Sequence, residues 1–439
     1  MKLEIIKMGI NGEGIGYDHK TPVFVPKAYP TEIVDVNIIE DKGKYKRAEL
    51  VKILKEAEFR VEPKCDHQDK CGGCALMNMR YIRQMQYKKE NLQQTLLKYA
   101  GIPFRMVDQV IANEDHLYYR NSFKLPVKYV NGALTTCMYE EGTNHVMPIR
   151  KCMVHEKGLE AMRKQILEVL NKHGVHAYNE KLQKGLRYLV VRTFDGKYQC
   201  TLVSGKDRYH DSLINDLMAI PDLKSLVQNV NTNTKSNEIF SSEFHYLGGT
   251  RKLPLKLGDL KMEVSPASFF QMNTKQAYRM YQYAADLIDD AHVLVEAYCG
   301  IGTISLMCKD KAEKIIGIEL NKDAVKNANE NAYLNHVDDK VKFLVGDAGK
   351  VMERVFREQH VDALIVDPPR TGLDDKMISL LLDNPVRQLV YISCNAATLA
   401  KNLKQLGEVY EVKSIQPFDM FSQTPLVETV VLLTAKADF

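Results

Sequence analysis

The run YISCN places Cys394 directly after residues of high β-propensity, and Glu428 heads the apolar run ETVVLL near the carboxyl end. A cysteine in a strand is ordinarily an inert small hydrophobe, and an acid heading a strand is ordinarily solvated. Both readings change if the two side chains reach one rim. A thiolate can add to an electron-poor conjugated ring and make the neighbouring carbon nucleophilic, which splits one difficult substitution into easier steps. A base must then remove the hydrogen left on that carbon before the thiol departs. Cys394 is therefore the candidate nucleophile and Glu428 the candidate base.

A second set of residues describes a nucleotide-like ligand. In VLVEAYCGIGTISL, Gly300 and Gly302 follow an apolar run and open a helix, where a bare backbone and unpaired N–H groups can meet a ligand closely. The next apolar run, KIIGIEL, ends in Glu319, 19 residues after Gly300, where an acid can accept hydrogen bonds from a ribose diol. A third ends in GDA with Asp347, a candidate adenine-side contact. This arrangement serves dinucleotides and S-adenosylmethionine alike. The fourth run decides, because Asp367-Pro368-Pro369-Arg370 makes a rigid loop that orients a carboxylate beside a planar base, for which a dehydrogenase has no evident use.

These residues need a frame. HVLVEAY, KIIGIEL, VKFLVGD, VDALIVDPP and RQLVYISCN are short apolar runs mostly separated by helix-like stretches, the pattern of a parallel sheet covered on both faces. In such open α/β sheets ligands sit at the carboxyl ends of the strands. The expected fold is multidomain α/β, in three parts. Residues 1–57 read as short strands and glycine turns of a small OB-like β-barrel; 58–260 form a central α/β domain; 261–439 form a Rossmann-like domain. The last barrel hairpin carries Lys42, Lys44, Lys46, Arg47, Lys52 and Lys55 around Tyr45, which suits a polyanion backbone with a stacking platform. A solvated edge strand guarded by lysines explains the same segment almost as well.

Composition narrows the class without naming a partner. The net charge of +4 permits RNA but does not establish it. MKLEIIKMGI lacks the uninterrupted apolar core of a secretory signal, and no stretch is apolar enough to span a bilayer, so the expected location is cytoplasmic. Nine unevenly spaced cysteines in such a chain suggest ligation or catalysis rather than a disulfide framework. By chemistry alone four thiolates, or three with His67, suit zinc as well as an iron–sulfur cluster.

SFFQMN, AYCGIGT, DPPRTGL, YISCN and DMFSQTPLVE together resemble the RNA uracil-5 methyltransferases, whose ribosomal and transfer RNA members share one chemistry. The resemblance implies S-adenosylmethionine as cofactor, with Gln271, Tyr298, Glu319 and Asp367 at its site beside Gly300, Gly302 and Asp347. It implies Cys394 as the nucleophile and Glu428 as the base. Family members usually show Asp-Leu where this chain has Glu296-Ala297, a departure expected to alter packing rather than binding. Related cytosine-5 enzymes carry a second Cys where Arg370 stands, which argues for uracil. The amino-terminal segment is similar to a TRAM domain. Cys65, Cys71, Cys74 and Cys152 resemble the spacing with which the ribosomal RNA branch holds a 4Fe-4S cluster, with zinc as the alternative.

A stacked uridine hides carbon 6, so the target should be flipped out, at about a few kcal/mol, with Phe269 and Phe270 as candidate stacking partners. The barrel and four cysteines tilt the expected substrate toward 23S ribosomal RNA, with transfer RNA as the alternative; the enzyme is expected to act as a monomer and without a membrane. Two rivals compete with this reading: a non-catalytic RNA-binding assembly factor with a relic site, and a nicotinamide-dependent oxidoreductase.

Overall fold

The computed structural model describes residues 1–437. The glycine-punctuated amino end forms a barrel from β1 (Lys2–Glu4), β2 (Lys7–Met8), β3 (Gly14–Asp18), β4 (Thr21–Val25), β5 (Ile33–Asp41) and β6 (Lys46–Lys55), ordered β1-β5-β6-β4-β3-β2. β1 and β2 are halves of one bent strand that pairs with β5 on one side and β3 on the other, so the sheet closes and the edges vanish. Alternating residues Val23, Val25, Val34 and Val36 fill the interior. The hairpin cations are partly self-neutralised: Lys46 pairs with Asp18 at 2.8 Å and Asp41 at 3.2 Å, and Lys42 pairs with Glu40 at 2.8 Å. Lys44, Lys52 and Lys55 remain exposed.

Helix α1 (Tyr81–Ala100) follows the cysteine segment and ends on Gly101, whose φ of 69° provides the left-handed cap. Its Leu92 and Leu96 are buried with Leu399 and Leu403 near the carboxyl end of the chain, so one face of it packs on the last layer of the molecule. The central sheet comprises β7 (Ser122–Val130), β8 (Ala133–Tyr139), β9 (Val146–Pro148), β10 (Leu186–Phe194), β11 (Lys197–Ser204), β12 (Leu223–Val230) and β13 (Phe244–Gly249), ordered β13-β12-β11-β10-β7-β8-β9. α2 (Lys157–Lys172) and α3 (Asp211–Met218) cover it, with Leu159, Ile166 and Leu217 in the shared core.

A hairpin of β14 (Leu253–Leu257) and β15 (Leu260–Val264) leads through α4 (Thr274–Asp286) into the third sheet. Its parallel strands are β16 (Ala291–Ala297), β17 (Ala312–Glu319), β18 (Val341–Val345), β19 (Ala363–Val366) and β20 (Gln388–Ser393). They alternate with α5 (Thr303–Met307), α6 (Lys322–Leu334), α7 (Ala348–Glu358), α8 (Asp375–Asp383) and α9 (Ala396–Leu406), before β21 (Tyr410–Phe418) and β22 (Glu428–Ala435). The order is β18-β17-β16-β19-β20-β22-β21. β16 lies between β17 and β19, which makes the carboxyl end of β16 a topological switch point and hence a ligand crevice. The sheet departs from an all-parallel one because β22 enters antiparallel between β20 and β21. No helix among the described residues is long and apolar enough to cross a membrane.

Candidate active site

β20 and β22 pair with Ser393 opposite Thr429, so Cys394 and Glu428 stand at the next facing positions, where both strands reach the rim. Glu428 is 3% exposed, and burial pushes its carboxyl up to about 8, the Asp367 charge adding to the rise and Arg370 opposing it. Burial likewise pushes the half-buried Cys394 thiol up to about 11, helped by Glu428 and Asp367 and opposed by Arg370. Asp367 rises to about 7 by burial alone. The Asp367 charge acts on both Cys394 and Glu428, and the Glu428 charge on Cys394, so the fold brings the sequence-predicted pair and the DPP carboxylate to one place. The Cys394 thiol is therefore held largely in its protonated form in the free protein near neutral pH.

Arg370 is the cation that counters this acidic cluster, and sequence reasoning used it only to argue against a second cysteine. Its signal was a positive charge directly after DPP. The Arg370 carbonyl accepts hydrogen bonds from Asn395 Nδ2 at 3.0 Å and Thr398 Oγ1 at 3.2 Å, tying the DPPR loop to the start of α9 beside Cys394.

The SFFQ loop closes the other side. Arg192 of β10 donates to the carbonyls of Ser265 at 3.2 Å and Ser268 at 2.8 Å, and Asn121 Nδ2 donates to the Gln271 carbonyl at 2.9 Å. Gln271 is buried, and the Tyr281 hydroxyl lies within the field of Asp367 and Glu428. The two phenylalanines separate: Phe270 is core, edge-on to Phe194 at 5.3 Å, whereas Phe269 is 72% exposed and free to stack on a base.

At the switch point the loop after β16 turns through Tyr298 (φ 67°), Gly300 (φ 54°) and Gly302 (φ 80°), a strained non-glycine flanking two permissive residues. A Cβ at Gly300 would meet nothing within 4 Å, so open space lies over that backbone. Glu319 Oε2 accepts the Gly300 N–H at 3.1 Å and Oε1 the Asn321 N–H at 2.8 Å, which fixes the acid at the end of β17. Asp347 is exposed and caps α7 by accepting the Lys350 N–H at 3.1 Å. Leu320 and Val345, both exposed, flank these acids and form apolar walls suited to a flat base. Sequence reasoning missed them; their signal was an apolar residue after, or two before, an acid or glycine at a strand end.

Glu296 is buried and its carboxylate takes the Ser305 N–H at 2.7 Å and the Ser305 hydroxyl, anchoring the first turn of α5. The Glu296-Ala297 departure is thus spent on holding the glycine turn. An open turn, two acids and apolar walls fit S-adenosylmethionine. Gly302→Ala is expected to weaken cofactor binding at least tenfold and to lower Tm, because its Cβ would sit 2.4 Å from Phe343 Cζ in a left-handed backbone. Calorimetric titration with S-adenosylhomocysteine checks this.

The cysteine segment lies elsewhere. Cys65 and Cys74 pack against buried Cys152 in one small cluster, and Cys71 Sγ accepts the Gly73 N–H at 3.4 Å. Cys65, Cys71 and Cys152 all act electrostatically on Cys74, whose thiol burial pushes up to about 12. Among the described residues no set of three or more His, Cys, Asp or Glu side chains is already arranged as metal ligands. The surroundings nevertheless ask for negative charge. Arg120 lies within the field of Cys74 and Cys152, and its buried Nε has no partner among the described residues. Four thiolates around a metal or cluster would carry net negative charge and compensate that guanidinium, so the donor set fits. His67 accepts the Arg150 N–H at 3.2 Å through Nε2.

With this geometry the chain was compared with known proteins. A family model described as tRNA (uracil-5-)-methyltransferase matches residues 80–436, and one described as the TRAM domain matches residues 2–51. An uncharacterized RNA methyltransferase of Clostridium tetani is 36% identical over 448 residues, 99% of this chain and 96% of the relative. One from Streptococcus agalactiae is 34% identical over 442 residues, 99% and 98% of the two chains. Among solved structures, the Pyrococcus abyssi tRNA (uracil-54, C5)-methyltransferase in complex with S-adenosyl-L-homocysteine is similar with a TM-score of 0.79 and 25% identity, covering 99% of this chain and 100% of that one.

Proposed function

This chain belongs to the tRNA (uracil-5-)-methyltransferase family and carries an amino-terminal TRAM domain, and from that premise we propose that it methylates carbon 5 of a uridine in 23S ribosomal RNA through a covalent Cys394–uracil adduct. The observation that carries the reading is the β20–β22 register, which sets a thiol and a carboxyl side by side at the mouth of the sheet. Cys394 gives up its proton to solvent and its sulfur bonds to carbon 6, while the carbon 5–carbon 6 π electrons move to the carbon 4 carbonyl as an enolate. S-adenosylmethionine, when bound, would supply an electrophilic methyl group, which carbon 5 takes up as the methyl–sulfur bond breaks and its electron pair leaves with S-adenosylhomocysteine. Glu428, in its ionised form, then takes the proton from carbon 5; that C–H electron pair restores the ring double bond, and the carbon 6–sulfur pair leaves with Cys394 as thiolate.

The side chains around the pair serve that sequence. Exposed Phe269 replaces the stacking lost when the uridine is extruded, and Gln271 offers a donor and an acceptor to the base edge or cofactor. Gly300, Gly302, Tyr298, Glu319, Asp347 and Asp367 bind and orient the cofactor. Cys65, Cys71, Cys74 and Cys152 would hold a 4Fe-4S cluster, whose role in a reaction that moves no electron is to fold the segment that bears it. Cys74→Ser is expected to abolish bound iron and the accompanying visible absorbance of protein purified without oxygen, and to lower Tm; metal analysis returning zinc instead would reassign the site.

Ribosomal RNA is favoured by the combination of barrel and four cysteines. A second reading, transfer RNA, rests on a specific observation, the end-to-end likeness to an enzyme that acts on uracil-54 of tRNA. Incubation with labelled S-adenosylmethionine and RNA from cells lacking the gene, followed by mapping of 5-methyluridine, decides. Label confined to tRNA would overturn the ribosomal assignment, and label in no RNA would overturn the enzyme.

A further inference from the structure

The connection between β21 and β22, residues 419–427, ends on Glu428, and its two flanks, Phe418 and Glu428, are paired across the hairpin. Asp419 and Lys88 of α1 form an ion pair with both side chains 0% exposed. Asp419 Oδ2 also accepts the hydroxyls of Tyr81 and Ser422, each at 2.6 Å, and Lys88 Nζ donates to the Phe421 carbonyl at 3.1 Å. A buried ion pair contributes little net stability relative to an apolar pair of the same shape, so what this one provides is a single geometry.

A second clamp grips the same strap. Gln84 of α1 donates through Nε2 to Gln423 Oε1 at 2.9 Å and to the Leu76 and Met79 carbonyls, and its Oε1 accepts the Gln423 N–H at 3.2 Å. Gln423 sits at φ 70°, a conformation that costs about 1 kcal/mol or more for a residue with a Cβ. Its carbonyl accepts the Leu76 N–H at 3.0 Å, and its Nε2 donates to the His116 carbonyl at 3.1 Å. Tyr119 adds a hydrogen bond to the Ser422 carbonyl at 3.0 Å. Segments from α1, the cysteine loop and the approach to β7 thus converge on the few residues that precede Glu428.

A base must come within hydrogen-bond reach of its proton, and a displacement of 1 Å can cost roughly a hundredfold in rate. We propose that the Lys88–Asp419 pair and the Gln84–Gln423 clamp are positioning groups for Glu428, acting on proton removal from carbon 5 rather than on cofactor or RNA binding. The proposal rests on the reading of Glu428 as the base.

The test uses the full chain with tritiated S-adenosylmethionine and RNA from cells lacking the gene. Two variants are compared with wild type: Asp419→Asn, which removes the charge, and Gln84→Leu, which removes the neutral clamp without leaving a buried charge unpaired. Both should transfer methyl in the first turnover and accumulate a denaturation-resistant protein–RNA adduct. Steady-state turnover should fall roughly tenfold to a hundredfold, with KM for cofactor and RNA within about twofold of wild type. Wild-type turnover in both variants, or equal loss of the first turnover and the steady state, overturns the proposal. Glu428→Gln runs in parallel. If it traps the adduct while the other two turn over normally, positioning alone fails; if it turns over normally itself, the base assignment fails and the proposal with it.

Discussion

Cys394→Ser is expected to leave cofactor and RNA affinity intact and to reduce methyl transfer by roughly a thousandfold or more, since removal of a covalent nucleophile strips out the step on which the others depend. A hydroxyl is a far weaker nucleophile than a thiolate. The wild-type thiol is itself masked, held up to about 11 by burial and by two carboxyls. Adduct formation in the wild type should therefore rise with pH between 7 and 9, as the ionised fraction grows. Arg370→Ala should slow it at every pH in that range, because Arg370 is the charge that lowers both Cys394 and Glu428. Rapid-quench single-turnover assays, with adduct resolved on denaturing gels, measure both. Methyl transfer by Cys394→Ser at the wild-type rate would remove the covalent route.

Glu428→Gln should show a different signature, one round of methyl transfer followed by arrest, with labelled RNA attached to the protein. The amide keeps the shape of the acid but cannot take the proton from carbon 5, so the sulfur cannot leave. The same variant should be more stable than wild type above neutral pH. In the folded protein the carboxyl holds its proton up to about 8, whereas in the unfolded chain it ionises near 4.5. The folded state therefore binds more protons through that window, and wild-type stability falls as pH rises from about 4.5 through 8. Glutamine carries no such penalty. The stability difference should be absent near pH 4, grow across the window and level off above pH 8, at up to a few kcal/mol, and the Tm difference should follow it. Thermal melts at a series of pH values check it, and a constant difference would show that Glu428 is not held in its neutral form.

Stability is thus sacrificed where the chemistry is placed. Asp367, Glu296 and Glu428 are all carboxyls that burial raises to between about 7 and about 8, collected at the carboxyl ends of β19 and β16 and the start of β22. The surrounding apolar layers, from Val295 and Ile365 to Val390 and Val431, supply the burial that makes them expensive and therefore useful.

Much of this site was legible in the chain because it depends on short-range patterns. Apolar runs ending in glycine, acid or proline mark strand ends, and Gly300, Glu319, Asp347, Asp367 and Cys394 each close such a run, so one periodicity argument brings them to one rim. The barrel was local in the same sense. What local pattern could not decide was pairing between distant segments. Glu428 meets Cys394 because β22 inserts antiparallel beside β20 in one register, and a slip of one residue would turn every side chain to the other face. The FF pair looks symmetrical in the chain, yet only Phe270 meets Phe194 across the junction of the central and carboxyl-terminal sheets. α1 reads as an ordinary amphipathic helix, and nothing near it in the chain announces that Lys88 and Gln84 will hold a loop more than three hundred residues away. Side-chain type and spacing determined which chemistry was available; long-range packing, which alone buries charges and selects a register, decided which residues perform it together.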